Sequence, residues 1–163
     1  MAVRNEWASA LVAAGKKESP AKASGNETRE GVVTFAIAAA DSDASIIKIA
    51  KVPANAIMRE IKITSDALTG CTSVDVGLYK ESGVVADKDI FLAAEDIAAG
   101  QAVGSEQNGM EDVALADLGK RLYELLGLTA STSTESAYDL ALTFNTIGSG
   151  AGNITVQWRY ILG

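Results

Sequence analysis

The side chains that most often do chemistry in enzymes are scarce in this sequence. The 163 residues include no histidine and a single cysteine, Cys71. Histidine is the commonest general base and a common metal ligand, so Ser-His-Asp and Cys-His hydrolases and histidine-based metal centres are excluded. One cysteine forms neither an internal disulfide nor a multi-cysteine metal site. With no histidine to activate it, we expect Cys71 to be an inert thiol.

Short runs of acidic residues are the remaining candidates for chemistry. Asp41-Ser42-Asp43 and Asp87-Lys88-Asp89 supply carboxylates, but a calcium loop needs more oxygen ligands at ordered spacing. We interpret both runs as solvated loop tips. Glu95-Asp96 is interpreted as part of a surface loop, because the sequence does not place two carboxylates across a cleft for acid–base catalysis. The sequence therefore predicts no catalytic residue, no metal site and no cofactor.

The charge of the chain limits its partners. The formal net charge is −7, which argues against broad nucleic-acid binding because such binding needs a basic face. The charge is uneven: residues 1–30 carry five Lys/Arg against four Glu, whereas the rest carries nine basic against seventeen acidic residues. No apolar stretch approaches 18 residues, so we expect no membrane partner.

From Gly31 onward, apolar and polar residues alternate with the period of half-buried strands. Turn signals rich in Gly, Pro, Asn and Asp separate the alternating segments, and no strand–helix–strand repeat suggests a parallel sheet. The pattern predicts a mainly β fold over residues 31–163, an antiparallel β-sandwich or jelly roll. The segments are VVTFAIA (32–38), ASIIKIAKV (44–52), AIMREIKIT (56–64), SVDVGLY (73–79), YDLALTF (138–144) and NITVQWRYILG (153–163).

One segment departs from this alternation. Five leucines between residues 112 and 129 have helical spacing, and Gly127 is a plausible stop. We predict one short helix at about residues 114–126, packed over an end or edge of the sandwich. The glycine-rich segment 148–152 lacks the Lys-Ser/Thr of a phosphate loop, so we interpret it as a hairpin between the last two strands.

The stretch KVPANAIMREIKITSDA (51–67) raises the question of how a strand accommodates its charges. Pro53 cannot lie within a central strand, so we place it in a corner before the next strand. By strict alternation, Arg59 shares a face with Ile57, Ile61 and Ile63. It then lies near a strand end with its charge reaching water, pairs with a carboxylate, or contacts a neighbouring subunit.

The first thirty residues are predicted to form an arm and linker outside the main domain. Apolar residues in 1–15 have helical spacing, which predicts a short amphipathic helix, and residues 15–31 are polar like an extended linker. The alternative is an unattached terminus. Trp7 and Leu11 favour docking on a partner. At the other end of the chain, Trp158 and Tyr160 alternate as core residues do, rather than as a base-stacking platform.

Three segments resemble the decoration, or cement, proteins of tailed-bacteriophage capsids. They are IAKVPANAIMREIKITSDALTGCTSVDVGLYK (49–80), DVALADLGKRLYELLGL (112–128) and AYDLALTFNTIGSGAGNITVQWRYI (137–161). In that family, a strand leads through a Pro-Ala-Asn corner into a second strand, and a Leu-Tyr-Glu-Leu-Leu-Gly helix precedes the terminal strands. The resemblance spans residues 31–163 and leaves out the arm.

The resemblance implies a non-enzymatic structural protein on the outer surface of the virion. Such a jelly-roll-like domain binds the major capsid protein as a homo-oligomer, a homotrimer or alternatively a dimer, and stabilises the shell. We expect the partner interface to include the arm and the corner strand, with contacts from Trp7, Leu11, Lys16, Lys17, Arg29 and Arg59. Two alternatives remain: another virion component, such as a head-completion or tail-fibre module, or a carbohydrate-binding β-sandwich. A hydrolase that uses only carboxylates ranks last.

Overall fold

The described part of the chain folds mainly into β-strands. A computed structural model describes residues 3, 5–7, 28–130 and 132–162. Within these ranges the order is β1 (Asn5–Trp7), β2 (Thr28–Ile37), β3 (Ser45–Pro53), β4 (Ala56–Ser65), β5 (Ser73–Lys80), β6 (Val85–Glu95), β7 (Gln107–Asn108), α1 (Leu122–Leu125), β8 (Ala137–Thr146) and β9 (Gly152–Leu162).

The strands form two sheets that enclose one apolar core. The first sheet has the order β1-β3-β8-β5-β6, and the second has the order β2-β9-β4-β7. Adjacent strands pair antiparallel, except that β1 runs parallel to β3. Side chains from both sheets, such as Ile47, Phe144 and Ile154, are fully buried between them. Within the described residues, the predicted antiparallel β-sandwich with one short helix is confirmed.

The alternating pattern predicts the inward positions of β2 and β9 correctly. In β2, Val33, Phe35 and Ile37 are buried while Thr34 and Ala36 between them are exposed. In β9 the inward positions face the same core. Each fully buried aliphatic or aromatic side chain contributes about 2 kcal/mol relative to an exposed one, so this face holds the sheet against its partner.

Strands β5 and β8 differ from the half-buried prediction, because both of their faces are covered. Leu78 and Val76, two positions apart on β5, pair with Asp87 and Leu92, which are five positions apart on β6. Strand β6 therefore carries three extra residues between these two pairs. These residues fold over the outer face of β5. A Cβ at Gly77 would overlap the backbone of Asp87 and Lys88, so only glycine allows this approach.

The helix is much shorter than the predicted span of 114–126. Only Leu122–Leu125 are helical, and the preceding residues form separate turns. Leu122 is buried, but Leu115 is 89% exposed. A short amphipathic segment stays helical when its apolar face is buried, and Leu115 finds no surface to pack against. Gly119 further disfavours a continuous helix.

Most connections between consecutive strands pass from one sheet to the other, and two of them test predicted turns. Pro53 ends β3 and the turn that follows leads to β4 in the other sheet, as the corner prediction requires. The glycine-rich segment 148–152 does not form the predicted hairpin, because β8 and β9 belong to different sheets. Its backbone instead packs on the turn at Thr69, whose carbonyl accepts the N–H groups of Ser149 and Gly150 at 3.1 Å.

Candidate interaction surface

The outer face of the second sheet presents exposed and half-buried side chains from three neighbouring strands. We call it the open face. It consists of the outward residues of three neighbouring strands: Glu30, Val32 and Thr34 on β2, Thr155, Gln157 and Arg159 on β9, and Glu60, Lys62 and Thr64 on β4.

A bulge in β4 determines which residues reach the open face. The pairing of β4 with β9 shifts by one residue between Met58 and Glu60. Met58 is therefore buried beside Tyr160, while Arg59 is exposed and Ile57 is only half-buried. The predicted placement of Arg59 with the inward isoleucines is wrong, because the extra residue reverses the alternation at this point.

Charged side chains occupy one end of the open face. Arg159 lies between two carboxylates, with Nη2 3.2 Å from Glu60 Oε2 and Nε 3.7 Å from Glu30 Oε2. Lys62 Nζ lies 3.3 Å from Glu60 Oε1. These side chains are well exposed, so the pairs contribute little stability but fix the order of charges on the surface.

The rest of the open face is neutral and made of small side chains. Thr34 and Thr155 share a hydrogen bond between their hydroxyl oxygens at 2.8 Å. Next to them, Val32 is 62% exposed. A shallow hollow of about 380 Å³ lies where the neutral and charged parts meet. Its lining residues are Glu30, Gly31, Val32, Glu60, Gln157, Trp158 and Arg159.

The first sheet has a different outer face, because two of its aspartates are buried and each is paired with a lysine. Lys88 reaches back from the extra residues of β6, and its Nζ lies 2.7 Å from Asp75 Oδ2 and 2.9 Å from Asn145 Oδ1. Lys48 Nζ lies 3.1 Å from Asp139 Oδ2. Both aspartates are at most 2% exposed, so this face is closed at β5 and β8.

The two buried aspartates differ in their pKa. Burial by itself raises the pKa of Asp75, but hydrogen bonds from Lys88, the Ala94 amide and Asn145 outweigh burial, so the pKa lies below its ordinary value. For Asp139, burial outweighs the ion pair with Lys48 and raises the pKa. Asp75 is therefore the better-satisfied carboxylate of the two.

The acidic runs that the sequence placed in solvated loops are structural. Asp41 is buried, and its Oδ2 accepts the Ala38 N–H at 2.8 Å. Asp43 Oδ1 accepts the Ile147 N–H at 2.9 Å. The run at 87–89 lies within β6. The contact of Asp43 with Ile147, 104 residues away in the chain, was not evident from the sequence.

In the described part of the chain, Cys71 is not a reactive thiol and the carboxylates do not form a metal site. Burial, with the neighbouring Asp96 charge, raises the pKa of the Cys71 thiol to about 11, which keeps it protonated. Over residues 28–130 and 132–162, no three Cys, Asp or Glu side chains are arranged to hold a metal ion. No helix in the same ranges is long and apolar enough to cross a membrane.

The predicted interface residues lie in different parts of the molecule. Arg59 lies beside the open face, and none of the ion pairs between described residues involves it. Arg29 is half-buried in β2, opposite Tyr160. Trp7 pairs through its backbone with Lys48 at the far edge of the other sheet, so residues 5–7 form a strand and not the predicted helix. Leu11, Lys16 and Lys17 lie outside the described residues.

The sequence did not single out the open face itself, although it contained the signal. The alternation predicts that Thr34, Thr155, Gln157 and Arg159 point outward, and they do. The prediction for the aromatic pair is also confirmed. Tyr160 is buried, and the Trp158 ring packs over Gly31, where a Cβ would overlap it. Neither ring forms an exposed flat platform of the kind that binds sugars or bases.

The fold and this surface together define an all-β sandwich with one closed and one open outer face. One chain of the cyanophage Pam1 capsid asymmetric unit has the same fold, with a TM-score of 0.58 and 18% identity over 91% of this chain and 94% of that chain. A chain of the capsid of Ralstonia phage GP4 is similar, with a TM-score of 0.60 and 15% identity over 94% and 96%. No family model and no curated protein matches the sequence.

Proposed function

We propose that this chain is a structural protein of a bacteriophage virion that decorates the capsid. In this role it binds the major capsid protein as a homo-oligomer on the outer surface of the shell and stabilises the shell. One observation carries the proposal: two chains from solved phage capsids share this fold over more than nine-tenths of their own length and of this chain. The capsid resemblance of the three sequence segments supports the same role independently.

The physical character of the molecule suits a binding role without catalysis. An oligomer that presents the same modest contact several times on a symmetric shell gains avidity, so no single contact has to be strong. The net charge of −7 favours a place outside the shell, away from packaged nucleic acid, because like charges repel.

We propose that the arm, residues 1–30, makes the contact with the shell next to the sandwich domain, residues 31–163. The mildly basic arm complements an acidic shell surface better than the sandwich does. The contacts come from Trp7, Leu11, Lys16 and Lys17, together with Arg29 and Arg59. A terminal segment of this kind adds contact area beyond the footprint of the compact domain.

Co-sedimentation with shells tests this proposal. Expanded shells assembled from the major capsid protein of the same phage are mixed with the full chain and pelleted. We expect saturable binding in the hundreds of copies per shell that an icosahedral lattice offers, and a higher melting temperature of the loaded shell. Lys16→Glu weakens binding, whereas Lys120→Glu, a charge reversal in the turn before α1, leaves it unchanged. Absence of the chain from the pellet contradicts the proposal, and saturation at a dozen copies or fewer favours a head-completion or tail component.

A further inference from the structure

The contrast between the two outer faces points to a specific partner for the open face. On the outer face of the first sheet, Asp75 and Asp139 are buried and paired with Lys88 and Lys48, whereas the outer side chains of the second sheet are exposed or half-buried. We propose that the open face binds a second copy of this chain, the two sheets packing face to face about a twofold axis. The biological role of that dimer rests on the proposed function, but its existence does not.

The charges of the open face favour a second copy as the occupant. The chain has a net charge of −7, so two copies repel each other at most orientations. On the open face, the two cations Arg159 and Lys62 match the two carboxylates Glu30 and Glu60, so the formal charges of the face cancel. This is a broad surface on which two acidic molecules can approach without a net negative charge between them.

The order of those charges also suits a contact of a surface with itself. In a twofold contact each residue meets the same patch from the opposite direction. The alternation of Glu30, Arg159 and Glu60 across three strands therefore offers opposite charges to an identical copy. Glu30 is 74% exposed in its side chain, and its pair with Arg159 is loose at 3.7 Å, so it can turn to a cation of the partner.

The side chains in the neutral part of the open face lose little conformational entropy when they pack against a partner. Val32, Thr34, Thr64 and Thr155 are β-branched, with one strongly restricted torsion each. Ordering them on association costs less than ordering long side chains such as Lys or Glu. The exposed Val32 side chain gains free energy when the contact removes it from water.

The size of the face is adequate for a specific contact. Strands of ten or eleven residues at about 3.4 Å per residue, and three strands spaced about 4.8 Å apart, give a face of roughly 34 by 14 Å. Its projected area is on the order of 500 Å², and side-chain relief raises the accessible area toward the roughly 800 Å² that each partner buries in a standard interface.

Two exposed valines provide a matched test. Val32 lies on the open face and is 62% exposed, and Val84 lies in the turn between β5 and β6 and is 57% exposed. Sedimentation velocity of the full chain at about 50 µM detects any dimer of micromolar affinity. We expect a dimer for the wild type and for Val84→Glu. Val32→Glu weakens the dimer by at least about tenfold, because it places an unpaired carboxylate in the contact.

The melting temperatures of the two variants distinguish loss of the dimer contact from loss of the fold. Both glutamate variants are expected to melt within a few degrees of the wild type, since both positions are exposed. A wild-type monomer, a trimer, or a Val32→Glu variant that associates as strongly as Val84→Glu would overturn the proposal. Because no shell is present in the experiment, a negative result leaves shell binding untouched.

Discussion

At the scale of single residues, the molecule depends on buried ion pairs that tie distant strands together. Asp75 accepts hydrogen bonds from Lys88 Nζ at 2.7 Å and from the Ala94 N–H at 2.8 Å. Both donors belong to β6. The carboxylate thus holds the extra residues of β6 against β5, and it does so as a charged group with a lowered pKa.

The lowered pKa predicts how this pair responds to pH. Because the pKa of Asp75 is lower in the folded than in the unfolded state, its stabilisation is complete above the unfolded value of about 4 and is lost as the pH falls through the folded value. We expect Asp75→Asn to lower the free energy of unfolding by about 2 kcal/mol at pH 7, less than a fully buried pair because the Lys88 side chain is 43% exposed. Denaturant unfolding from pH 7 to pH 3 measures it.

The difference between wild type and Asp75→Asn is expected to shrink below about pH 4. Burial raises the pKa of Asp139, so its effect on the pH dependence of stability is opposite to that of Asp75. Because Asp139 is present in both proteins, this effect cancels in the difference between their free energies of unfolding. Asp117→Asn is the control, because its ion pair with Lys120 is exposed and contributes at most about 0.5 kcal/mol. A difference that stays constant from pH 7 to pH 3 contradicts this account of Asp75.

Individual residues were predictable from the sequence only where local alternation decides their direction. The outward position of Thr34 and Gln157 follows from the period of two. Arg59 does not follow it, because a bulge adds one residue. Asp43 bonds Ile147, 104 residues away, and Asp75 meets Lys88 only because β6 folds back over β5; a single sequence contains no signal for either contact.

At the scale of elements, the fold-back of β6 over β5 is the feature that closes the first sheet. It requires a backbone-to-backbone approach at Gly77. We expect Gly77→Ala to destabilise the protein by about 3 kcal/mol or more, because the added methyl group overlaps rigid backbone. Thermal unfolding followed by circular dichroism measures the change.

Gly119→Ala is the matched control for this prediction. No heavy atom lies within 4 Å of a Cβ at Gly119, and neither glycine has a positive φ. The control is expected to change stability by less than about 0.5 kcal/mol. Equal stability of the two alanine variants would show that β6 does not lie on β5 as described.

Strands were more predictable than the helix for a physical reason. The alternation of apolar and polar residues follows from the burial of one face of a strand, and this pattern predicted most strands of both sheets. The helical spacing of Leu115 and Leu118 is a local pattern, but those side chains are exposed. The leucines that pack on the core, Leu122, Leu125 and Leu126, lie at the end of the segment. The sequence also did not predict which strands share a sheet. The segment 148–152 has the composition of a hairpin turn, but it joins strands of opposite sheets.

At the scale of the whole molecule, the two sheets divide the work of the protein. The closed sheet supplies rigidity through its buried pairs, and the open sheet offers a broad surface with balanced charge on an otherwise acidic chain. Repetition of such a unit on a symmetric shell multiplies weak contacts into a stable coat. Under the proposed function, the arm and the open face would have separate tasks: the arm would bind the shell, and the open face would bind a second copy.

A cryo-EM reconstruction of the phage particle that carries this chain tests the central claim most directly. We predict density on the outside of the shell that accommodates the two-sheet domain and repeats with the icosahedral symmetry over the surface. Density for this domain only at one vertex or along the tail, or its absence from the particle, would contradict a role in decorating the capsid.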